Sequence, residues 1–143
     1  MTEPARTVLQ GGRPKAYRPL SDEDREAAFR AGVAAYAAGD FFAAHEHLEP
    51  AWMGTDDPAE RDLHQGLIKL AAAYVHAVRG NPLGTAKNLR GARDRLAAAS
   101  AADHTRGLDL DALVRAVDVR LDRLCREPGV ARVDPPPLPW RTR

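Results

Sequence analysis

The chain has 143 residues, a formal net charge of +1, and 27 alanines against 16 Val, Ile and Thr together. Alanine is the strongest helix former and β-branched residues favour strands, so the composition predicts an all-α single domain and argues against a sheet-built fold. A hydrophobic fraction of 44% beside 29% charged residues excludes a disordered chain, and the lone Cys125 excludes an intrachain disulfide or a cysteine metal site.

No stretch approaches the roughly 20 apolar residues of a membrane span, and the first residues lack a signal peptide's apolar core. A cytoplasmic protein with no membrane partner is expected. Charge is unevenly spread: residues 1–20 carry +3, residues 21–82 carry −6 and residues 83–143 carry +4. Such a dipolar chain has the means to form a homo-oligomer or steer a ligand.

Three segments are expected in chain order: an extended N-terminal arm over 1–20, a helical domain over 21–127 and a Pro-rich C-terminal tail over 128–143. The arm holds three prolines and the adjacent Gly11 and Gly12 and shows no amphipathic period. Ser21 caps a first helix whose Asp22, Glu23 and Asp24 suit the positive end of its dipole. Phe29, Gly32, Val33 and Tyr36 share one face of it, and Gly39 ends it. Asp40 caps a second helix over about Phe41–Met53, with a kink or early end expected at Pro50.

Asp57, Pro58 and Glu60 form an N-cap, a first-turn proline and a capping box for the third helix, which Gly80 and Pro82 end. Leu63, Leu67, Leu70, Tyr74 and Val78 are its apolar stripe. A fourth helix is expected from Pro82 to about Ala98, then a loop over 100–108. The fifth helix runs from Leu110 to about Arg126, with Leu110, Leu113, Val117, Leu121 and Leu124 inward. Glu127–Pro128–Gly129 ends it. The tail Asp134–Trp140 favours polyproline geometry and is expected to pack back on the domain with Trp140 as anchor.

The segment with chemistry in it is Phe41 to Trp52. At about 100° per residue from Phe41, His45 falls near 40° and Glu49 near 80°, bracketed by Leu48, Trp52 and Phe42, with Glu46 near 140° and His47 turned away. A carboxylate inside an apolar arc costs several kcal/mol unless it is paired, neutralised or metal-bound. Three readings follow. One is a hydrogen-bonded network that fixes how helices dock. The second is a divalent metal (Zn, Mn or Fe) held by His45 and Glu49, with His76 completing the site and Glu46 as base on bound water. The third is a metal-free acid–base site. Gln65 and His76 share a face of the third helix that can approach this group, although Lys69 beside them suggests a wet surface. His64 lies near the apolar stripe, and His104 falls in a loop.

Gly39–Asp40–Phe41–Phe42–Ala43–Ala44–His45–Glu46–His47–Leu48–Glu49, followed by Trp52, resembles the first signature of the domain-of-unknown-function family DUF309. Glu60–Arg61, Gln65–Gly66–Leu67–Ile68, Ala71–Ala72 and His76 resemble its second. Arg79–Gly80–Asn81–Pro82–Leu83–Gly84 with Ala86 is similar to its next turn and helix start. The resemblance covers about residues 25–98 and implies a small all-helical cluster, in keeping with the about five helices read from the residues. It also implies the family's label of predicted metal-dependent hydrolase, with His45, Glu46, Glu49, Gln65 and His76 as the matching polar positions. His64 stands where that pattern has an apolar residue, and the Pro-rich end lies outside it.

Two functions compete. The first is a metal-dependent hydrolase acting on an unknown small molecule. The second is a non-catalytic helical module with a protein partner, suggested by the tetratricopeptide-like junction Tyr36–Phe41. Lys87, Arg90, Arg93, Arg120, Arg123 and Arg126 interleave with Asp94, Asp118 and Asp122, which reads as a salt-bridged surface and not as a nucleic-acid interface.

Overall fold

The computed structural model describes residues 6–10, 13–127 and 133–142. Five helices make up most of it: α1 (Asp22–Ala37), α2 (Phe41–Met53), α3 (Pro58–Val78), α4 (Pro82–Ala101) and α5 (Leu110–Arg126). Each begins where a side-chain oxygen of Ser21, Asp40, Asp57, Asn81 or Asp109 accepts a hydrogen bond from a first-turn backbone N–H, which satisfies an otherwise orphaned donor. The Gly39–Asp40 and Gly80–Asn81 junctions are alike. Each glycine takes a positive φ, 81° and 72°, and the next residue's N–H closes on a carbonyl five residues back, Ala35 or His76. α1 with α2 and α3 with α4 therefore form two helix pairs, and α5 packs against α4. Sequence-adjacent helices pack against one another throughout.

The core is small-residue and leucine-rich. Phe29, Leu48, Leu63, Leu70, Tyr74, Leu89, Leu96 and Leu113 are buried among seven core alanines. The expected α1 face, Phe29, Gly32, Val33 and Tyr36, is the buried one. Val78, placed on the α3 stripe, is 64% exposed at the last residue of the helix. α2 continues through Pro50 to Met53. The carbonyl that Pro50 leaves without a partner belongs to Glu46, and both residues face solvent, where water replaces the lost bond. α4 runs three residues beyond the expected Ala98.

The N-terminal arm is a β-hairpin, β1 (Arg6–Gln10) antiparallel to β2 (Arg13–Tyr17), with Gln10 opposite Arg13. Gly11 and Gly12, between the strands, lie outside the described residues. The hairpin is held by docking. Arg61, fully buried, donates to the carbonyls of Thr55 (3.0 Å) and Ala16 (3.4 Å) and stacks 4.9 Å from the Trp52 ring. Trp52 Nε1 donates to Gln10 Oε1 at 2.8 Å, and Arg18 and Leu20 donate to the carbonyls of Met53 and Gly54 at the end of α2.

Candidate functional site

The buried face of α2 is Ala44, Leu48 and Ala51. These small residues let α2 settle close to its neighbours, so the aromatics do not mark the centre of its inward face. Phe42 is 60% exposed, His45 and Glu49 are half-buried flanking residues, and Glu46 and His47 are exposed. His45 does meet His76. Both line a groove of about 180 Å³ with Phe42, Ala72, Val75 and Arg79. His76 Nδ1 lies 3.2 Å from Asn81 Nδ2. Gln65 is half-buried and its Oε1 has no hydrogen-bond partner.

This donor set does not fit a metal ion. A catalytic Zn²⁺ takes three protein ligands, whereas the groove offers two imidazoles, a guanidinium and no carboxylate. Among the described residues no three His, Cys, Asp or Glu side chains are grouped to hold a metal. The inward-facing His45–Glu49–His76 set expected from the wheel is therefore not assembled, because the helix turns Ala44 and Ala51 toward the core instead.

The buried acid is Glu60, 2% exposed. Its carboxylate accepts from Arg106 Nε at 2.7 Å and pairs with Arg106 Nη2 as well. It also lies 2.8 Å from Arg25 Nε, an ion pair without hydrogen-bond alignment. The Nε2 atoms of His64 and His104 stand 3.6 and 3.5 Å from Oε1. Burial alone would raise the Glu60 pKa, but His64 and Arg106 outweigh it and hold the carboxyl well below the usual range. Burial drives the His64 imidazole the other way, below its ordinary value and toward the neutral form, against the pull of Glu60. With Arg106 also bound to Glu26 (3.0 Å) and Asp22 (2.7 Å), this cluster pins the 103–109 loop to α1 and α3. Both carboxylate oxygens of Glu60 face a guanidinium, Oε1 that of Arg106 and Oε2 that of Arg25, which makes the cluster a clamp, while both ring nitrogens of His64 lack a hydrogen-bond partner.

Glu60 does not close the expected capping box; the Asp57 N–H donates to Thr55 Oγ1 instead. The available signal was a Glu–His pair at i, i+4 beside the α3 leucine stripe. The two arginines and His104 come from elements distant in sequence and gave none.

The second built feature is the tail. Asp134 to Pro139 forms no regular structure and lies across α1, α3 and α5. Tyr36 Oη on α1 donates to the Pro136 carbonyl at 2.7 Å, and Tyr74 Oη on α3 donates to the Asp134 carbonyl at 2.8 Å. Arg120 on α5 donates to the Asp134 carbonyl and, at 2.9 Å, to its carboxylate. Burial raises both phenol pKa values far above the usual range, so both remain O–H donors at physiological pH. Beyond Pro136 the tail follows α1 toward its N-terminus. Phe29 and Tyr36 are two turns apart, about 10 Å, and four residues in polyproline geometry, Pro136 to Trp140, cover about 12 Å. Trp140 meets Phe29 edge-on at 6.3 Å and bridges to Leu108, with Asp109 N–H donating to the Pro139 carbonyl and Arg141 N–H to that of Gly107.

The tail packs back on the domain, as expected, but Trp140 is not its anchor. Trp140 stays 50% exposed whereas Val133 is 4% exposed and Pro136 is buried. A cleft of about 350 Å³ remains between the tail and the Val33–Ala37 edge of α1.

The basic residues of α4 and α5 are largely paired, Arg93 with Asp94 and Asp118, and Arg126 with Asp122. Among the described residues no helix is long and apolar enough to cross a membrane.

Fold and groove thus define a small, mostly helical protein of paired helices with one docked β-hairpin. Residues 29–88 match the model of DUF309, a domain of unknown function, and the resemblance read from the three signatures is borne out over that span. The match includes Tyr36, the α2 segment, Glu60 and Tyr74, and stops short of Arg106, α5 and the tail. No curated protein and no solved structure matches the chain.

Proposed function

We propose that the chain is a non-catalytic helical interaction module, and that His45, Glu46, Glu49, Gln65 and His76 are polar groups of its α2–α3 face. The observation that carries this reading is the tail across α1, α3 and α5, held by side-chain donors on its backbone carbonyls. α1 and α3 are the first helices of the two pairs, and α5 is the helix that follows them. Stacked helix pairs offer partners an extended surface of this kind, and hydroxyl donors between aromatic rings suit a proline-rich strand that arrives already extended.

The test is an array of extended peptides, with and without proline, probed with the full chain. A subset is retained, and the Tyr36→Phe/Tyr74→Phe variant loses it. Metal-dependent turnover of generic ester or phosphoester substrates that His45→Ala with Glu49→Gln abolishes would overturn the reading in favour of a Zn, Mn or Fe hydrolase with Glu46 as base.

A further inference from the structure

Resting on that reading, we infer that the groove across α1, α3 and α5 receives a partner protein's proline-rich segment and that the chain's own Val133–Trp140 occupies it in competition. The contacts made by the tail specify the partner's chemistry. Arg120 reads an acidic residue through both its carbonyl and its carboxylate. Tyr74 and Tyr36 read carbonyls two residues apart, at Asp134 and Pro136. The second of these residues is a buried proline. An aromatic residue four positions further on reaches Phe29 and covers Gly107. The segment that fits is therefore acidic residue, any residue, proline, three residues, aromatic.

Val133 joins the core and Leu138 packs against it, yet two features leave the fit of the native tail incomplete and open to competition. The cleft beside α1 stays unfilled by Pro135–Leu138, and the tail's terminal aromatic remains half in water. Five residues, 128–132, join Glu127 to Val133 in sequence. A segment carried on the same chain as its binding surface competes at an effective concentration on the order of millimolar. An incoming segment therefore binds far more weakly while the tail is seated than its contacts alone would allow.

The experiment uses a fluorescently labelled peptide of sequence Val133–Thr142 as probe and the full chain as receptor. Val133→Ser with Leu138→Ser weakens the seated tail without touching a groove residue, and the probe then binds at least tenfold more tightly than to the wild type. Tyr36→Phe/Tyr74→Phe in the same background removes that gain, with helical circular dichroism retained. In a Trp52→Phe chain, whose one tryptophan is Trp140, millimolar unlabelled peptide carrying Phe in place of Trp140 displaces the tail and moves the emission to longer wavelength. Equal probe affinity in wild type and weakened-tail chain, or no emission change at saturating peptide, overturns the inference and leaves the module reading standing if array peptides are still retained. Loss of array binding as well would remove both. A concentration-dependent dimer that Val133→Ser with Leu138→Ser abolishes would assign the groove to a second copy's tail and overturn the choice of partner.

Discussion

Glu60→Gln keeps the side chain's size and removes one buried charge, and its cost follows from the two guanidiniums it faces. At an effective dielectric of about 20, a pair of unit charges 4 Å apart is worth about 4 kcal/mol. Arg106 and Arg25 both approach closer than that, at 2.7 and 2.8 Å, with only 11% and 18% of their side chains exposed. After the change Arg106 keeps Asp22 and Glu26 and Arg25 keeps the Leu20 carbonyl. The net loss is therefore placed at about 3 kcal/mol, the low end for breaking a buried pair, or a fall in Tm of about 10 °C for a chain this long. Because the folded-state pKa of Glu60 is depressed, its contribution is complete above the ordinary carboxyl value and is lost as pH falls below it. Each pH unit under about 4.3 removes about 1.4 kcal/mol, so at pH 3.5 the gap between wild type and variant narrows by about 1 kcal/mol. Denaturant unfolding of both chains at pH 7 and pH 3.5 reads this directly. A loss under about 1 kcal/mol at pH 7, or the same loss at both values, would refute the clamp.

Three further outcomes are expected. Arg61→Met removes the bonds to Thr55 and Ala16 and the stack on Trp52. It costs about 2–3 kcal/mol, as charged hydrogen bonds do, and hydrogen exchange shows β1 and β2 losing protection before the helices. Substituting His45→Ala, Glu46→Gln and Glu49→Gln together changes stability by less than about 1 kcal/mol, since none is buried; a larger loss in thermal unfolding would mean that these residues form a core network. Tyr36→Phe leaves the Pro136 carbonyl without its donor and lowers stability by about 1 kcal/mol, with faster proteolysis near the C-terminus as the local signature.

The first three helices were legible because each announces itself twice, by a capping residue (Ser21, Asp40 or Asp57) and by an apolar period; the fourth and fifth rested on Gly80–Pro82 and on leucine spacing, and their caps, Asn81 and Asp109, are seen only in the folded chain. The hairpin was not. Its ten residues alternate poorly and include Pro14, and its stability comes from Arg61 and Trp52, which are more than 30 residues away. The candidate site failed for a related reason. A wheel ranks positions by hydrophobicity, so Phe42 and Trp52 drew the inward arc toward His45 and Glu49, whereas Ala44 and Ala51 win the interior because small side chains permit close helix approach. Glu60 resembled a capping residue because its first-turn position satisfies that pattern, and only the folded chain brings Arg25 and Arg106 to it.

The Glu60 cluster and the tail share one support, the 103–109 loop. Arg106 ties that loop to Glu60, while Asp109 and Gly107 exchange backbone bonds with Pro139 and Arg141, and Asp103 pairs with Arg141. Acid therefore acts on the tail through the clamp. Around Glu60 stand His64 on α3, Arg25 on α1, and Arg106 and His104 on the loop, with Glu26 and Asp22 on α1 facing Arg106. The folded-state pKa of His64 is depressed by burial, so the fold is favoured above the ordinary imidazole value, about 6.5, and loses that preference as pH falls below it. Glu60 adds its own loss only below about 4.3. The tail therefore loosens in two stages, with Trp140 emission, read in a Trp52→Phe chain, moving to longer wavelength first as pH falls below about 6.5, while far-ultraviolet circular dichroism still reports intact helices. His64→Leu removes the first stage and leaves the second. An emission curve with the same first stage in His64→Leu would show that the tail answers to a different titrating group and that the loop does not couple it to the clamp.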